Sequence, residues 1–331
     1  MIGAPHHASF QGLLAGHRRF VLTTHVNPDG DAIGSEMGLA RFLRSRGAEV
    51  RIVNQDPTPD TLRFLEVDGL RAEVYDEAAH ATAFEQAERL VLLDNSAPDR
   101  FGRVTARLLA LAEKTFCIDH HPTRETPWAE TILDDASCAT AEIIYELLTR
   151  AGWRPDRGAA EALYVGISTD TGVFRFNSTT PRAHEIAAEL LRQGVQPARA
   201  FQEIYERNSV AYTRLLGQAL TSLRLDAGGA VASVRLTRDM LQAEDGDGID
   251  TSEMTTALLA MDGVRVALLF RELPGGRIKV SLRSKGDLDV HRLASGFGGG
   301  GHRNASGIVL AGALDEVSER IIAEAKRPLG T

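Results

Sequence analysis

The segment RFVLTTHVNPDGDAIGS, residues 19–35, decides the fold class. Its first seven residues form an apolar run that predicts a buried strand, and the turn NPDGD leads into a helix predicted from about Ala32 to Arg46. Similar runs at 50–55, 89–96 and 115–121 predict three further strands, and 131–135 is a candidate edge strand. Apolar runs without alternation, separated by helices, are typical of a parallel sheet covered on both faces. The predicted class is therefore α/β.

The chain is long enough for two domains, since it has 331 residues. We expect a parallel-sheet domain over residues 1–180 and a helical linker over 181–223, broken near Gly194–Pro197. Strands at 231–237, 264–273 and 277–285, alternating with helices, predict a smaller α/β domain over 224–331. A cleft between the two domains is the expected place for the active site.

The amino-acid composition argues against several classes of binding partner. The chain carries 37 Lys and Arg against 45 Asp and Glu, a formal charge of −8, which argues against binding of long or duplex nucleic acid. No run approaches the roughly 18 apolar residues of a membrane span, so we expect no membrane contact. The N-terminal residues lack the pattern of a secretory signal, and only two cysteines, Cys117 and Cys138, are present. These features favour a cytoplasmic protein.

Aspartate and histidine residues follow the predicted strands where they end. They are His25, Asp29 and Asp31 after the first strand, Asp94 in the third, Asp119, His120 and His121 in the fourth, and Asp170 in the later segment ISTDTGVF. Side chains just beyond the carboxyl ends of parallel strands converge on one crevice. We therefore predict a single site built from distant parts of the chain.

This set of side chains is typical of a metal site. Carboxylates and imidazoles without thiolates suit Mn²⁺, and also Zn²⁺ or Fe²⁺. Five or six ligands exceed the need of one tetrahedral ion, so two ions sharing a carboxylate are expected, with a bridging hydroxide that attacks phosphorus. The predicted reaction is phosphoester hydrolysis. Two alternatives stay open, because Asp31 and Asp94 are also placed to cap the segments that follow them.

A glycine-rich segment, SGFGGGGHRNASG at 295–307, is the main feature of the second domain. Four consecutive glycines allow backbone N–H groups to approach an anion, and the three polar residues that follow offer further donors. Upstream, Arg283 and Lys285 lie at a predicted strand end. A flexible linker is the alternative for the glycines, and a solvated edge charge is the alternative for Lys285.

These motifs together resemble those of a known family. HVNPDGDAIGS (25–35), the strand end at Asp94, the triplet at 119–121 and STDTG (168–172) resemble the four motifs of the DHH phosphoesterase superfamily. GGGGHRNASG (298–307) resembles the signature of its associated phosphate-binding domain. The resemblance extends from about residue 18 to 326. A two-domain chain is most similar to the nanoRNase/pAp phosphatase type.

The resemblance implies a role for each site residue. It implies one metal, usually Mn²⁺, held by His25, Asp29 and Asp94, and a second held by Asp31, Asp94, His120 and Asp170, with Asp94 bridging. Asp119 would orient His120, and His121 would contact the scissile phosphate or the leaving group. The substrate phosphate would be held by Arg283, Gly299, Gly300, Gly301, His302, Arg303 and Asn304.

The function implied is hydrolysis of short oligoribonucleotides to mononucleotides, together with removal of the 3′-phosphate from adenosine 3′,5′-bisphosphate (pAp). Expected partners are short RNA and nucleotide phosphates, and family members often form homodimers. One alternative is a soluble cyclic di-AMP or pApA phosphodiesterase. Another is a nucleotide-binding module without catalysis, which would require a missing metal ligand, and none is missing.

Overall fold

The computed structural model describes residues 2–122 and 126–329, and the chain divides into two units, Met1–Arg207 and Asn208–Thr331. The division falls inside the segment that we expected to be a linker. Of its helices, Pro181–Arg192 and Pro197–Tyr205 belong to the first unit, whereas Val210–Thr221 belongs to the second. The expected break near residues 194–197 lies between the first two.

The first unit contains a parallel sheet, as predicted. Its strands are β1 (Arg19–Thr24), β2 (Glu49–Asn54), β3 (Ala72–Val74), β4 (Arg89–Leu93), β5 (Thr115–Asp119) and β6 (Glu130–Leu133). The order in the sheet is β3-β2-β1-β4-β5-β6, and every pair of neighbours is parallel. β6 is an edge strand, as expected, whereas the three-residue strand β3 was not predicted.

Helices cover both faces of this sheet. They are α1 (Ala4–Leu14), α2 (Gly30–Ser45), α3 (Glu77–Gln86), α4 (Thr105–Ala110), α5 (Thr140–Arg150), α6 (Arg157–Asp170), α7 (Pro181–Arg192) and α8 (Pro197–Tyr205), with short 3₁₀ segments between some of them. Successive strand residues point to opposite faces, so Leu22 joins the core under α2, α5 and α6, while Val21 joins the core under α3 and α4. Both faces are buried, which explains the unbroken apolar runs.

The strand order places the candidate site. The chain leaves β1 toward β2 and β3, then returns on the other side of β1 to build β4, β5 and β6. Such a reversal opens a crevice at the carboxyl ends of the central strands. The ends of β1, β4 and β5 are therefore neighbours about 5 Å apart, although residues 25, 94 and 119 are distant in sequence.

Glycines let α2 and α6 approach closely. A Cβ atom added at Gly34 would lie 2.4 Å from the carbonyl oxygen of Ala162, and one at Gly166 would lie 2.9 Å from Oδ1 of Asp31. No larger side chain fits at these positions without movement of a helix. The close approach brings the first turn of α2 next to the last turn of α6.

The second unit is a mixed sheet with helices, in agreement with the smaller α/β domain predicted. Its elements are β7 (Arg224–Asp226), β8 (Val231–Leu236), β9 (Val266–Leu273), β10 (Arg277–Ser284), β11 (Gly300–His302), β12 (Ala305–Ala311), α9 (Val210–Thr221), α10 (Arg238–Ala243), α11 (Met254–Leu259), α12 (Val290–Ser295) and α13 (Leu314–Lys326). The order is β11-β12-β10-β9-β8-β7, and β8 and β9 are parallel. Among the described residues, no helix is long and apolar enough to cross a membrane.

Candidate metal centre and phosphate loop

His25 follows β1 and is buried. Its Nδ1 lies 2.9 Å from the carbonyl oxygen of Val26, and its Nε2 lies 3.5 Å from Oδ2 of Asp94. Because a carbonyl only accepts, Nδ1 donates to it, and Nε2 is the ring nitrogen that faces Asp94. This is the arrangement in which histidine binds a metal.

Asp29 and Asp31 have different roles at the start of α2. Asp29 is the N-cap, since its Oδ1 accepts from the backbone N–H of Asp31 (3.0 Å) and of Ala32 (3.1 Å). The alternative in which Asp31 caps the helix is therefore wrong. Asp31 is buried inside the first turn, and its two oxygens accept from the backbone N–H groups of Thr140 (2.6 Å) and Ala141 (2.8 Å). The N-terminus of α5 thus fixes this carboxylate.

Asp94 lies at the centre of the cluster. It follows β4 with φ of 63°, a left-handed conformation that is uncommon for residues other than glycine. The carboxyl group is buried, and Oδ1 accepts from the hydroxyl of Thr140 at 2.9 Å. Burial, together with the negative charges of Asp31 and Asp29, raises the pKa of Asp94 well above its usual range. Asp94 does not cap the short helix that begins at Pro98, whose N-cap is Ala97, and the turn before that helix is held by Asn95, whose Oδ1 accepts from Ala97 N–H.

His120 faces three carboxylates. Its Nε2 lies 3.9 Å from Asp31 Oδ2, 3.6 Å from Asp94 Oδ1 and 3.5 Å from Asp170 Oδ2. Its Nδ1 lies 3.3 Å from the carbonyl oxygen of Ser137. In the part of the chain that the structure describes, this Nε2 is buried without a hydrogen-bond partner. A cation between the imidazole and the carboxylates would satisfy it.

Asp170 is the last residue of α6. Burial and the charges of Asp31 and Asp29 raise the pKa of Asp170 to about 8. Mutual repulsion of this kind disappears when a divalent cation lies among the carboxylates. The oxygen and imidazole donors present are those that divalent metals such as Mn²⁺ and Zn²⁺ accept, so these residues fit the metal site expected from the sequence.

The candidate ligands form three sets, and within each set the ligand atoms all lie within 4.8 Å of one another. The sets are His25, Asp29 and Asp94; Asp31, His120 and Asp170; and Asp94, His120 and His121. The structure thus brings together all six residues named as metal ligands from the sequence. Their role as ligands stays a prediction.

Asp119 contacts a different histidine from the one expected. Its Oδ1 accepts from Nδ1 of His121 at 2.8 Å and from the His121 backbone N–H at 3.0 Å, so Asp119 orients His121 rather than His120. Burial lowers the pKa of His121, but the hydrogen bond and the charge of Asp119 outweigh this effect and raise the pKa overall. Burial likewise raises the pKa of Asp119, but its contacts with His121 and Ser96 lower it overall. Each of the two side chains therefore favours the charged form of the other.

The glycine-rich segment is part of the second sheet. Gly300 pairs with Gly307 and His302 pairs with Ala305, which makes a hairpin with Arg303 and Asn304 at its turn. The alternative of a flexible linker is therefore wrong. The side chain of His302 lies outside the described part of the structure. Gly299 precedes this hairpin, and Gly301 lies within its first strand.

The side-chain amide of Asn304 forms hydrogen bonds within the protein itself. Its amide nitrogen donates to Ser284 Oγ (2.9 Å) and to the carbonyl oxygens of Gly286 (3.1 Å) and Leu288 (3.1 Å). These bonds join the end of β10 to the hairpin. These side-chain donors therefore serve the chain itself, and the phosphate contact expected from Asn304 stays a prediction.

Arg283 and Arg303 contact an exposed carboxylate and a backbone carbonyl, respectively. The Arg283 guanidinium donates to Glu253 at 2.9 Å, and Glu253 is exposed. The Arg303 guanidinium donates to the carbonyl oxygen of Asp287 at 3.0 Å and is mostly exposed. Exposed ion pairs of this kind contribute little to stability, so an anionic ligand can replace them.

Models of known protein families match stretches in both units of the chain. A model of the DHH family, N-terminal domain, matches residues 19–167, and a model of the DHHA1 domain matches residues 227–327. The bifunctional oligoribonuclease and PAP phosphatase NrnA of Thermus thermophilus is 34% identical over 309 residues, which are 93% of this chain and 89% of that protein. The chain belongs to the DHH family. It is therefore an enzyme that hydrolyses phosphoester bonds.

Other DHH proteins are similar over most of their length. The Bacillus subtilis protein of the same name is 31% identical, with 92% of each chain covered. A solved structure of an exopolyphosphatase-related protein from Bacteroides fragilis has a TM-score of 0.93 and 29% identity, and covers 99% of this chain and 98% of that one. RecJ of Thermus thermophilus, solved in complex with Mn²⁺, shares the fold with a TM-score of 0.52 and 16% identity over 97% of this chain and 54% of its own.

The DHH motifs omit residues that hold the ligands in place. Sequence reasoning missed Ser137, which contacts His120, and Thr140, which contacts both Asp31 and Asp94. Both lie in the segment DASCATAE, residues 135–142, which shows no recognisable period. The one available signal is a small polar residue directly before a predicted helix, which is where backbone N–H groups are free to bind an anion.

Proposed function

We propose that this DHH enzyme hydrolyses short oligoribonucleotides to mononucleotides and also removes the 3′-phosphate from pAp. The observation that carries the proposal is the convergence of carboxylates and imidazoles around Asp94. It is supported by two relatives above 30% identity that carry the name bifunctional oligoribonuclease and PAP phosphatase, each matched over about nine-tenths of its length. The acidic net charge favours short substrates over long strands.

The proposed cofactor is a pair of Mn²⁺ ions, with Asp94 shared between them. Its two oxygens face different partners, since Oδ2 lies 3.5 Å from His25 and Oδ1 lies 3.6 Å from His120. His25 and Asp29 would complete one ligand set, and Asp31, His120 and Asp170 the other. When bound, the ions would lower the pKa of a water molecule and stabilise negative charge on the phosphate oxygens.

The chain itself orients these groups and supplies a proton. The N–H groups at the start of α5 hold Asp31, and the Thr140 hydroxyl holds Asp94. Asp119 binds Nδ1 of His121 and so fixes the orientation of that ring. Because the pKa of His121 is raised, its imidazole is protonated more readily and suits donation of a proton to the leaving oxygen.

The second unit is proposed to bind the substrate phosphate. Arg283 would exchange its exposed partner Glu253 for a phosphate, which it can contact through two N–H groups. The backbone of Gly299, Gly300 and Gly301, with His302 and Arg303, would provide the other contacts. Cytoplasmic location and homodimer formation stay predictions from the sequence.

A competition assay tests this function. Protein stripped with EDTA and reloaded with Mn²⁺ would receive pAp, pApA, a five-nucleotide RNA, a long single strand and cyclic di-AMP at equal concentration. We expect pApA and the short RNA to reach mononucleotides first, pAp to lose a phosphate, and the long strand to react last. First consumption of cyclic di-AMP would establish the signalling alternative instead. Asp94→Asn should be inactive, whereas the matched control Asp60→Asn, at an exposed surface pair, should be fully active.

A further inference from the structure

Three consecutive residues after the metal cluster have left-handed backbone conformations. Gly172, Val173 and Phe174 have φ values of 58°, 60° and 61°. Branched and bulky residues such as valine and phenylalanine rarely adopt this region. Strain of this kind concentrates at functional sites, where the surrounding structure fixes it. The strained turn begins two residues after Asp170, so it adjoins the candidate active site.

Hydrogen bonds and ring contacts hold this turn firmly. The backbone N–H groups of Arg175 and Phe176 donate to the carbonyl oxygen of Thr171 at 3.0 and 2.9 Å. The ring of Phe174 lies 5.1 Å from the imidazole of His184 in a stacked arrangement, and 6.1 Å from the ring of Tyr164. Phe174 therefore anchors the turn, and the residues after it are displayed at the surface.

Phe176 is fixed in position and yet exposed. Its side chain is 50% exposed. The tip of the ring lies against Gly172, where an added Cβ would be 2.5 Å from Cζ. The Arg175 guanidinium carbon lies 5.4 Å from the ring centroid. The result is a half-exposed aromatic ring with a cation over one face, and proteins that bind single-stranded nucleic acid combine aromatic rings with arginines.

The position of this ring suits a nucleoside next to the scissile phosphate. Phe176 touches Gly172, and Gly172 is two residues from Asp170, a chain distance of at most about 7 Å. A phosphoester bound at the cluster would carry its sugar and base over a similar distance. Every nucleobase has a π face, so stacking at this position would not depend on sequence.

We propose that Phe176 stacks on a nucleobase of the substrate and that Arg175 contacts a neighbouring phosphate. The proposal rests on the proposed function, since it requires a nucleotide substrate. It adds a binding subsite within the first unit, separate from the glycine-rich hairpin. Gly172 belongs to the subsite because any larger residue there would displace the ring.

A fluorescence titration tests stacking without turnover. A 5′-phosphorylated dinucleotide containing 2-aminopurine, whose fluorescence is quenched on stacking, would be titrated with protein in EDTA. We expect quenching by the wild type and by Phe176→Trp, and a dissociation constant raised about 10-fold or more in Phe176→Ala. Gly172→Ala should also lose quenching although the ring is present. Phe201→Ala removes another exposed aromatic of the same unit and should behave like the wild type.

Kinetics with Mn²⁺ separate stacking from a structural role. In Phe176→Ala we expect KM for the dinucleotide to rise about 10-fold, with no change for a dinucleotide that lacks both bases. Any of three results would overturn the proposal. They are an equal rise in KM with both substrates, wild-type quenching by Phe176→Ala, and a change in sedimentation which shows that the ring covers a second copy of the chain. If the wild type hydrolyses no short RNA, the proposed function fails, while the quenching data still decide whether Phe176 stacks on a base.

Discussion

Replacing Gly34 by alanine should separate two helices that carry the proposed metal ligands. The new Cβ would lie 2.4 Å from the carbonyl oxygen of Ala162 and 3.0 Å from the backbone nitrogen of Gly166. Restoring ordinary contact requires α2 and α6 to move apart by about 1 Å. Because Asp31 lies on α2 and Asp170 on α6, the same movement widens the candidate metal site.

The energetic effect combines two opposing contributions. Overpacking of this size costs about 1–3 kcal/mol, and the better helix propensity of alanine returns nearly 1 kcal/mol. We therefore expect the free energy of unfolding to fall by up to about 2 kcal/mol. Gly12→Ala is the matched control, since nothing lies within 4 Å of its added Cβ in α1. That variant should gain up to about 1 kcal/mol.

Urea unfolding followed by tryptophan fluorescence measures both variants. Trp128 and Trp153 are the two tryptophans of the chain, and both lie in the first unit. A second measurement compares the thermal midpoint with and without MnCl₂, because a ligand that binds only the folded state raises it. We expect Gly34→Ala to lose most of this Mn²⁺ response. If Gly34→Ala matches Gly12→Ala in both stability and Mn²⁺ response, the close helix contact does not position the site and the reasoning is refuted.

Three further predictions concern the charges of the site. Asp94→Asn should stabilise the metal-free protein, because it replaces a buried carboxyl group whose ionisation is opposed by burial and by the neighbouring carboxylates. The same change should reduce Mn²⁺-dependent turnover more than about 100-fold. A destabilised metal-free variant in urea would contradict the electrostatic argument. Because the pKa of Asp170 is raised to about 8, the folded metal-free protein holds a proton that the unfolded chain releases near pH 4. The free energy of unfolding in EDTA should therefore fall as the pH rises from about 4 to 8. A flat pH profile would count against the raised pKa of Asp170. Asp119→Asn should lower the pKa of His121, which NMR titration of the metal-free protein measures. The same change should reduce turnover about 10- to 100-fold. An unchanged imidazole titration would show that Asp119 does not hold His121.

The sheet of the first unit was predictable because its strands are long and apolar. β1, β4 and β5 are buried on both faces, which gives runs that no amphipathic helix would show. β3 and β7 have three residues each, too few for any period to be recognised. The close contact of α2 and α6 was not predicted either, because it depends on which helix faces meet in the folded chain.

The site was predictable in its members but not in their pairing. Strand ends alone place Asp and His residues at one edge of the sheet, whatever their rotamers are. The partner of Asp119 depends on the turn after β5, where the N–H and Nδ1 of His121 both reach back by two residues. Such i to i+2 contacts are common for aspartate in turns, and that local signal favours His121 over His120. The bonds of the Asn304 amide within the fold were not predicted, because a donor next to a glycine run serves a hairpin as readily as a ligand.

The spread of the proposed ligands along the chain has a consequence for biosynthesis. They lie between His25 and Asp170 on five separate elements, and α6 is the last of these to be synthesised. A nascent chain therefore has no complete site until α6 has left the ribosome. This differs from small zinc domains, in which the metal drives folding. Loading of both proposed ions would thus follow folding of the first unit, and the ions present in the compartment after synthesis would decide which metal the site holds.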